Sequence, residues 1–129
     1  MGYRSDVVVV FYKRKGIQSD DVSTPVLKLW FDENYPIEEA KAEWYAEVEV
    51  GTDSVLVRYE SVKWYSDYKH VEAVQAALER FDATFDTMSI ESPAAYELIR
   101  IGEDLNDIEH AHSDWCEWRL SARREIEFD

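Results

Sequence analysis

The chain predicts a single α+β domain over residues 1–129: an antiparallel sheet with a ferredoxin-like split β-α-β core (βαββαβ), extended by a C-terminal helix and strand. Three stretches carry this reading. Val7–Val10, followed by Phe11 and Tyr12, is β-branched or aromatic at every position and too short for an amphipathic helix, as in a strand buried on both faces. Ser54–Tyr65, SVLVRYESVKWY, is the longest strand-like run and follows a Gly51-Thr52-Asp53 turn. Lys69–Met88 repeats Val71, Val74, Leu78, Phe81 and Phe85 at three- and four-residue steps, the stripe of an amphipathic helix.

In chain order, the first strand covers Asp6–Lys13 and ends in the basic cluster Lys13-Arg14-Lys15, before Gly16 and a polar loop over Gln18–Thr24. Ser23 or Thr24 ahead of Pro25 marks a helix start, since proline's missing N–H is harmless at the first helical position. Leu27, Trp30 and Phe31 then share a face until Asn34-Tyr35-Pro36. Pro36 opens a second short helix with Ile37, Ala40 and Trp44 inward and Glu38, Glu39 and Glu43 outward. Glu47-Val48-Glu49-Val50 alternates as a strand and pairs with the long strand as a hairpin across residues 51–53. On the long strand, simple alternation puts Val55, Val57, Tyr59 and Tyr65 on one side and Leu56, Val62 and Trp64 on the other.

Asp67 stands as a cap for the long helix, and Ser92-Pro93 breaks the chain after it. Ala95–Ile101 reads as a strand with Tyr96 and Leu98 opposite Ile99 and Ile101. Glu103–Ser113 reads as a helix with Leu105, Ile108, His112 and Trp115 in a stripe. Cys116–Phe128 alternates as a last strand, interrupted by Arg124. Central strands that are apolar on both faces need a cover on the side away from the helices, from the C-terminal segment or from a second copy.

The charge is the compositional anomaly. Asp and Glu number 28 against 14 Lys and Arg, a formal net charge of −14, while 46% apolar and 14% aromatic residues describe a folded chain and not an acidic tail. Such a field repels nucleic acid and anionic membranes and draws in basic surfaces at salt-dependent rates; solubility alone is the plainer account. One cysteine, Cys116, allows no intrachain disulfide, and the longest apolar run, Val7–Tyr12, cannot span a bilayer. The expectation is a soluble protein of the cytoplasm that does not bind membranes.

No phosphate-cradling glycine loop, nucleophile elbow or Cys-His arrangement stands out, and no cofactor is expected. His110-Ala111-His112 with Cys116 is the nearest approach to a metal motif. A spacing of two sends helical histidines to nearly opposite sides, so the simpler reading is a packed His112 and a solvated His110. Trp64, Tyr65 and Tyr68 cluster where the long strand hands over to the helix, either closing the core's end or anchoring a partner. Arg100, on an otherwise apolar strand, needs an anionic partner, for which Asp6 and Glu103 are candidates within the chain.

Gly2-Tyr3-Arg4-Ser5-Asp6-Val7, Val62-Lys63-Trp64-Tyr65, and Arg100-Ile101-Gly102-Glu103-Asp104 with Asp107-Ile108-Glu109 together resemble a group of small, mostly uncharacterised acidic proteins of tailed bacteriophages and prophages. The resemblance brings no activity, cofactor or catalytic residue. It implies a class: accessory proteins that often inhibit host enzymes, among them acidic mimics of DNA charge.

Three functional readings follow. The leading one is a non-catalytic acidic binding protein, encoded by a phage, that presents a DNA-mimic-like surface to a basic host protein, such as a nucleic-acid-binding enzyme, without binding nucleic acid itself. Its candidate face combines Glu38, Glu39, Glu43, Glu47 and Glu49 with Glu72, Glu79, Asp82 and Asp86, and a second acidic group comprises Glu103, Asp104, Asp107 and Glu109. The alternative is a small-molecule or nucleotide binder, or a small enzyme, with a pocket lined by Trp64, Tyr65, Arg100 and His112. The third is a structural homodimer.

Overall fold

The computed structural model describes residues 3–15, 24–104, 106–122 and 126–128. It is an α+β structure in the order β1 (Arg4–Lys13), α1 (Thr24–Asn34), α2 (Ile37–Glu43), β2 (Glu47–Gly51), β3 (Ser54–Lys63), α3 (Lys69–Phe85), β4 (Ala94–Gly102), β5 (Ile108–His112), β6 (Leu120–Ala122) and β7 (Ile126–Phe128). The first five strands form one antiparallel sheet in the order β2-β3-β1-β4-β5, and β6 and β7 form a separate hairpin. Residues 18–23 of the expected polar loop, Gly16, Leu105 and Arg124 lie outside the described residues, and Thr24, the loop's expected end, opens α1.

β1 sits at the sheet's centre because its valines are apolar toward both sides. Val7, Val9 and Phe11 join Leu27, Trp30 and Phe31 of α1, Ala40 of α2, and Val74, Ala77 and Phe81 of α3 in one core cluster. Val8, Val10 and Tyr12 face the opposite way, with Leu56, Ala95 and Ile99, under Leu120 and Ile126 of the β6–β7 hairpin. The C-terminal segment therefore covers the second face, as one of the two expected routes required.

It does so with different elements from those expected. Ile108–His112 is strand β5, not part of a helix over Glu103–Ser113, and the single strand over Cys116–Phe128 is two three-residue strands. A tight turn, in which Asp107 N–H bonds the Asp104 carbonyl and Gly102 N–H bonds the Asp107 carbonyl, reverses the chain onto the open edge of β4. That supply of backbone partners outweighs the helical spacing of the apolar residues. The long helix also starts differently: Tyr68, not Asp67, holds the N-cap position, without a side-chain cap bond.

The two sides of β3 are corrected as well. Ser5 pairs with Val62 but Val7 with Tyr59, so Glu60 and Ser61 together oppose Asp6 alone. This β-bulge is held by Ser61 N–H to Asp6 Oδ1 (2.8 Å), Arg4 Nη1 to the Ser61 carbonyl (2.8 Å) and a left-handed Ser61 with φ 51°. The extra residue inverts the alternation beyond it. Val62 and Trp64 return to the helix-covered face beside Tyr59, where strict alternation had them on the other side.

Candidate functional site: exposed acid and a buried carboxylate

The acidic surface begins with helix periodicity. Burying Ala40 on α2 leaves Glu38, Glu39 and Glu43 in solvent, and burying Val71, Val74, Ala77 and Phe81 on α3 does the same for Glu72, Glu79 and Asp86 at or just past that helix. Among the described residues none of these six carboxylates forms an ion pair. Asp82 differs: it is half-buried, accepts the Thr87 hydroxyl and lies beside Tyr96, whose phenol is pushed up to about 12, chiefly by burial and then by Asp82. Glu47 and Glu49 are exposed on β2, but their register partners Arg58 and Leu56 place them toward the hairpin-covered side of the sheet. The grouped acid thus divides between the helix layer and the sheet's far side.

The second acidic group is engaged within the fold. Arg100, 9% exposed, donates through Nη2 and Nη1 to both oxygens of Asp107 (2.7 and 3.0 Å), through Nε to Glu109 (2.7 Å) and through Nη1 to Ser5 Oγ (3.1 Å). The guanidinium bond holds the Asp107 carboxyl below the usual carboxylate range. The partners of Arg100 are therefore Asp107 and Glu109, not the Asp6 or Glu103 expected from sequence. Glu103 accepts the Arg4 N–H (2.7 Å), and Asp104 accepts the Asn106 N–H (3.0 Å).

The four expected pocket residues fall in different places. Trp64 lies 5.5 Å, between ring centroids, from both Tyr59 and His70, while Trp44 and Tyr68 approach His70 at 6.0 and 5.7 Å. His70 Nε2 donates to the Lys63 carbonyl at 2.6 Å, fixing this aromatic knot to the end of β3. Tyr65 stands outside it, edge-on to Tyr68, its hydroxyl accepting the Tyr3 N–H at 3.0 Å. Arg100 projects to the helix side of β4, whereas His112, opposite Glu97, belongs to the hairpin side, so the two do not line one cavity.

As residues of a strand, His110 and His112 share a face, with rings 5.3 Å apart and Trp118 at 5.1 and 4.5 Å from them. Among the described residues no group of three His, Cys, Asp or Glu side chains is placed to hold a metal ion.

Glu97 is the residue that sequence reasoning missed. It is fully buried on the hairpin side of β4. Its carboxylate accepts the Tyr12 hydroxyl (2.5 Å) and the backbone N–H groups of Arg119 (2.9 Å) and Leu120 (3.1 Å), with His110 Nε2 3.8 Å away. Tyr12 Oη in turn accepts the Glu117 N–H at 2.7 Å, and the Arg119 guanidinium covers the Tyr12 and Phe128 rings. Burial pushes the Cys116 thiol up and pulls His110 down. One acid within the otherwise apolar run Ala94-Ala95-Tyr96-Glu97-Leu98-Ile99 was the available signal. Chemically the arrangement is an anchor: among the described residues, the donors aimed at the carboxylate belong to the segment it fastens or to the sheet beneath.

Two adjoining cavities of about 230 and 330 Å³ flank the β3 bulge and share Asp6 and Ser61, the first bounded by Arg4 and Glu103 and the second by Arg58 and Ile126. No described helix is long and apolar enough to cross a membrane. Comparison of the chain with protein-family models, curated proteins and solved structures gives no match, and its functional reading rests on its own residues.

Proposed function

We propose that this chain is a non-catalytic, phage-encoded binding protein whose anionic exterior occupies a basic site, of the kind used for nucleic acid, on a host protein. The observation that carries the reading is the set of six exposed carboxylates on and just past α2 and α3, unpaired among the described residues, on a chain of net charge −14. A field of that sign steers a cationic partner and weakens as salt rises. The test is affinity capture from bacterial lysate at low and high salt, with DNA as competitor. Basic proteins released by salt and displaced by DNA support the reading; retention indifferent to both overturns it.

The same proposal takes the fold as ferredoxin-like. The order β2-β3-β1-β4, with helices in both crossovers, supports this; the second helix in the first crossover and the added β5 depart from the pattern. The paired cavities at the β3 bulge favour a second reading, a small-molecule site at Asp6, Arg58 and Ser61. Thermal shift against a nucleotide and metabolite panel tests it, and no stabilisation by any compound ends that line.

A further inference from the structure

β2 lies at one margin of the sheet, and among the described residues its only strand partner is β3. Among those residues, the backbone groups of Glu47–Gly51 that point away from β3 have no strand partner, as at the edge of a sheet. The side chains here are open too: Glu47, Glu49 and Val50 are exposed, and only Val48 is half-buried.

Tyr45, two residues upstream, has 81% of its surface in solvent and a left-handed backbone with φ 55°. The C-cap of α2 is Trp44, and Tyr45 directly after it holds the left-handed position that suits glycine, with Ala46 N–H bonded back to the Ala40 carbonyl (3.0 Å). A tyrosine at that point gains no burial from the fold. It supplies a rigid aromatic face in line with β2, flanked by the exposed Glu43 and Glu47.

The opposite margin, β5, is furnished otherwise. Glu109 is tied to Arg100, and the rings of His110 and His112 lie against Trp118. Self-pairing through β2 is also disfavoured, because an antiparallel pair of β2 strands centred on Val48 sets Glu47 of each copy against Glu49 of the other.

We infer that the β2 edge and Tyr45 form the docking strip for an extended, lysine- or arginine-bearing segment of the partner, which adds to the sheet as a further strand. Backbone hydrogen bonds along Glu47–Gly51 supply the register. Alternate cations of the added strand reach Glu47 and Glu49, its apolar residues meet Val48 and Val50, and one cation lies over the Tyr45 ring. This inference rests on the reading of the chain as an anionic binding protein and places the contact at β2, apart from the six carboxylates of the helix layer.

The test titrates the ¹⁵N-labelled full chain with a synthetic peptide of alternating Lys and Val, using alternating Glu and Val as the control. The expected result is amide shifts and slowed hydrogen exchange confined to residues 45–51 with the basic peptide alone. Glu47→Lys with Glu49→Lys should abolish the response. Tyr45→Gly should weaken binding roughly two- to fivefold while leaving the melting temperature unchanged or higher, a combination that a purely structural role does not produce. Shifts spread over α2 and α3, with β2 silent, overturn the inference. So does concentration-dependent dimerisation through β2 without peptide. Lysate capture separates the two readings: salt-sensitive retention lost with Glu72→Lys and Glu79→Lys but kept by the β2 variants defeats the strand-addition mode and leaves the acidic surface standing. Failure of capture by the unaltered chain defeats both.

Discussion

The two faces of the central sheet are closed by opposite means. On the helix side the seal is apolar and continuous: Phe11, Trp30, Phe31 and Phe81 meet ring to ring at centroid distances of 4.9–6.1 Å, all nearly or fully buried. On the hairpin side two three-residue strands cover Val8, Val10, Tyr12 and Ile99, and one buried carboxylate gathers the donors that hold them down. Two short strands bring few side chains to the interface, so burial alone fixes them weakly. Glu97 adds directional, charge-assisted bonds whose strength rises in a dry setting. Where a cover is large, nondirectional burial suffices; where it is small, position is set by a polar anchor.

The contrast can be broken from either side. Phe81→Ala, which opens a cavity among Phe11, Trp30 and Phe85, should cost about 3–5 kcal/mol and unfold sheet and hairpin together in one denaturant transition. Glu97→Gln keeps the shape but turns an amide toward donors; a loss of about 1.5–3 kcal/mol is expected, with hydrogen exchange quickening first at Arg119 and Leu120. Equal quickening in β1 would show that the hairpin is not a separately fastened unit. Tyr12→Phe removes one donor to Glu97 and the acceptor of Glu117 N–H, at about 0.5–1.5 kcal/mol, again read at the hairpin.

Titration should divide the faces too. Burial raises Tyr59 far above the usual phenol range and Tyr35 and Tyr96 to about 12, from an ordinary 10.0, and all three lie on the helix side. Their folded form keeps the proton, so their contribution is fully present below pH 10 and is lost as pH rises from 10 toward 12. Tyr12, also raised, extends that loss to the hairpin side. His110 works in the other direction. Burial lowers it from 6.5, against the opposing pull of Glu97 and with a further push from His112. The unfolded chain therefore binds the proton first, and stability present above pH 6.5 declines as pH falls below it. This smallest effect should be a mild-acid loosening of the hairpin followed by Trp118 fluorescence, and His110→Gln should abolish it.

Much of the sheet and all three helices were legible in the sequence because they are local patterns. The valines of β1, the stripe of α3, the Leu27-Trp30-Phe31 face and the Glu47–Val50 hairpin each declare their period within a few residues. The exposed acid of α2 and α3 was legible for the same reason, since charge opposite an apolar stripe has nowhere to go but solvent. The β3 bulge was not, because Glu60 and Ser61 look like ordinary alternation until Asp6 and Arg4 arrive from a distant strand. Neither was β5, whose apolar spacing suits a helix equally well and whose strand form depends on the free edge of β4. Glu97 was passed over because a lone acid in an apolar run gives no sign of which donors will reach it: the Tyr12 hydroxyl comes from a distant strand, and the backbone donors lie more than twenty residues further along the chain.

Composition and periodicity alone determined that this chain folds, that its exterior is strongly anionic, and that its central strands bury both sides; each follows from which residues are apolar and how often they recur. Tertiary contact decided the rest: which end of the chain closes the second face, which acids are spent on Arg100, and, among the described residues, which stay unpaired and that β2 lies at the sheet's margin. The physical reason is that hydrogen bonds and ion pairs between distant residues are settled by meeting geometry, and register shifts by a single residue are enough to send a side chain to the other side.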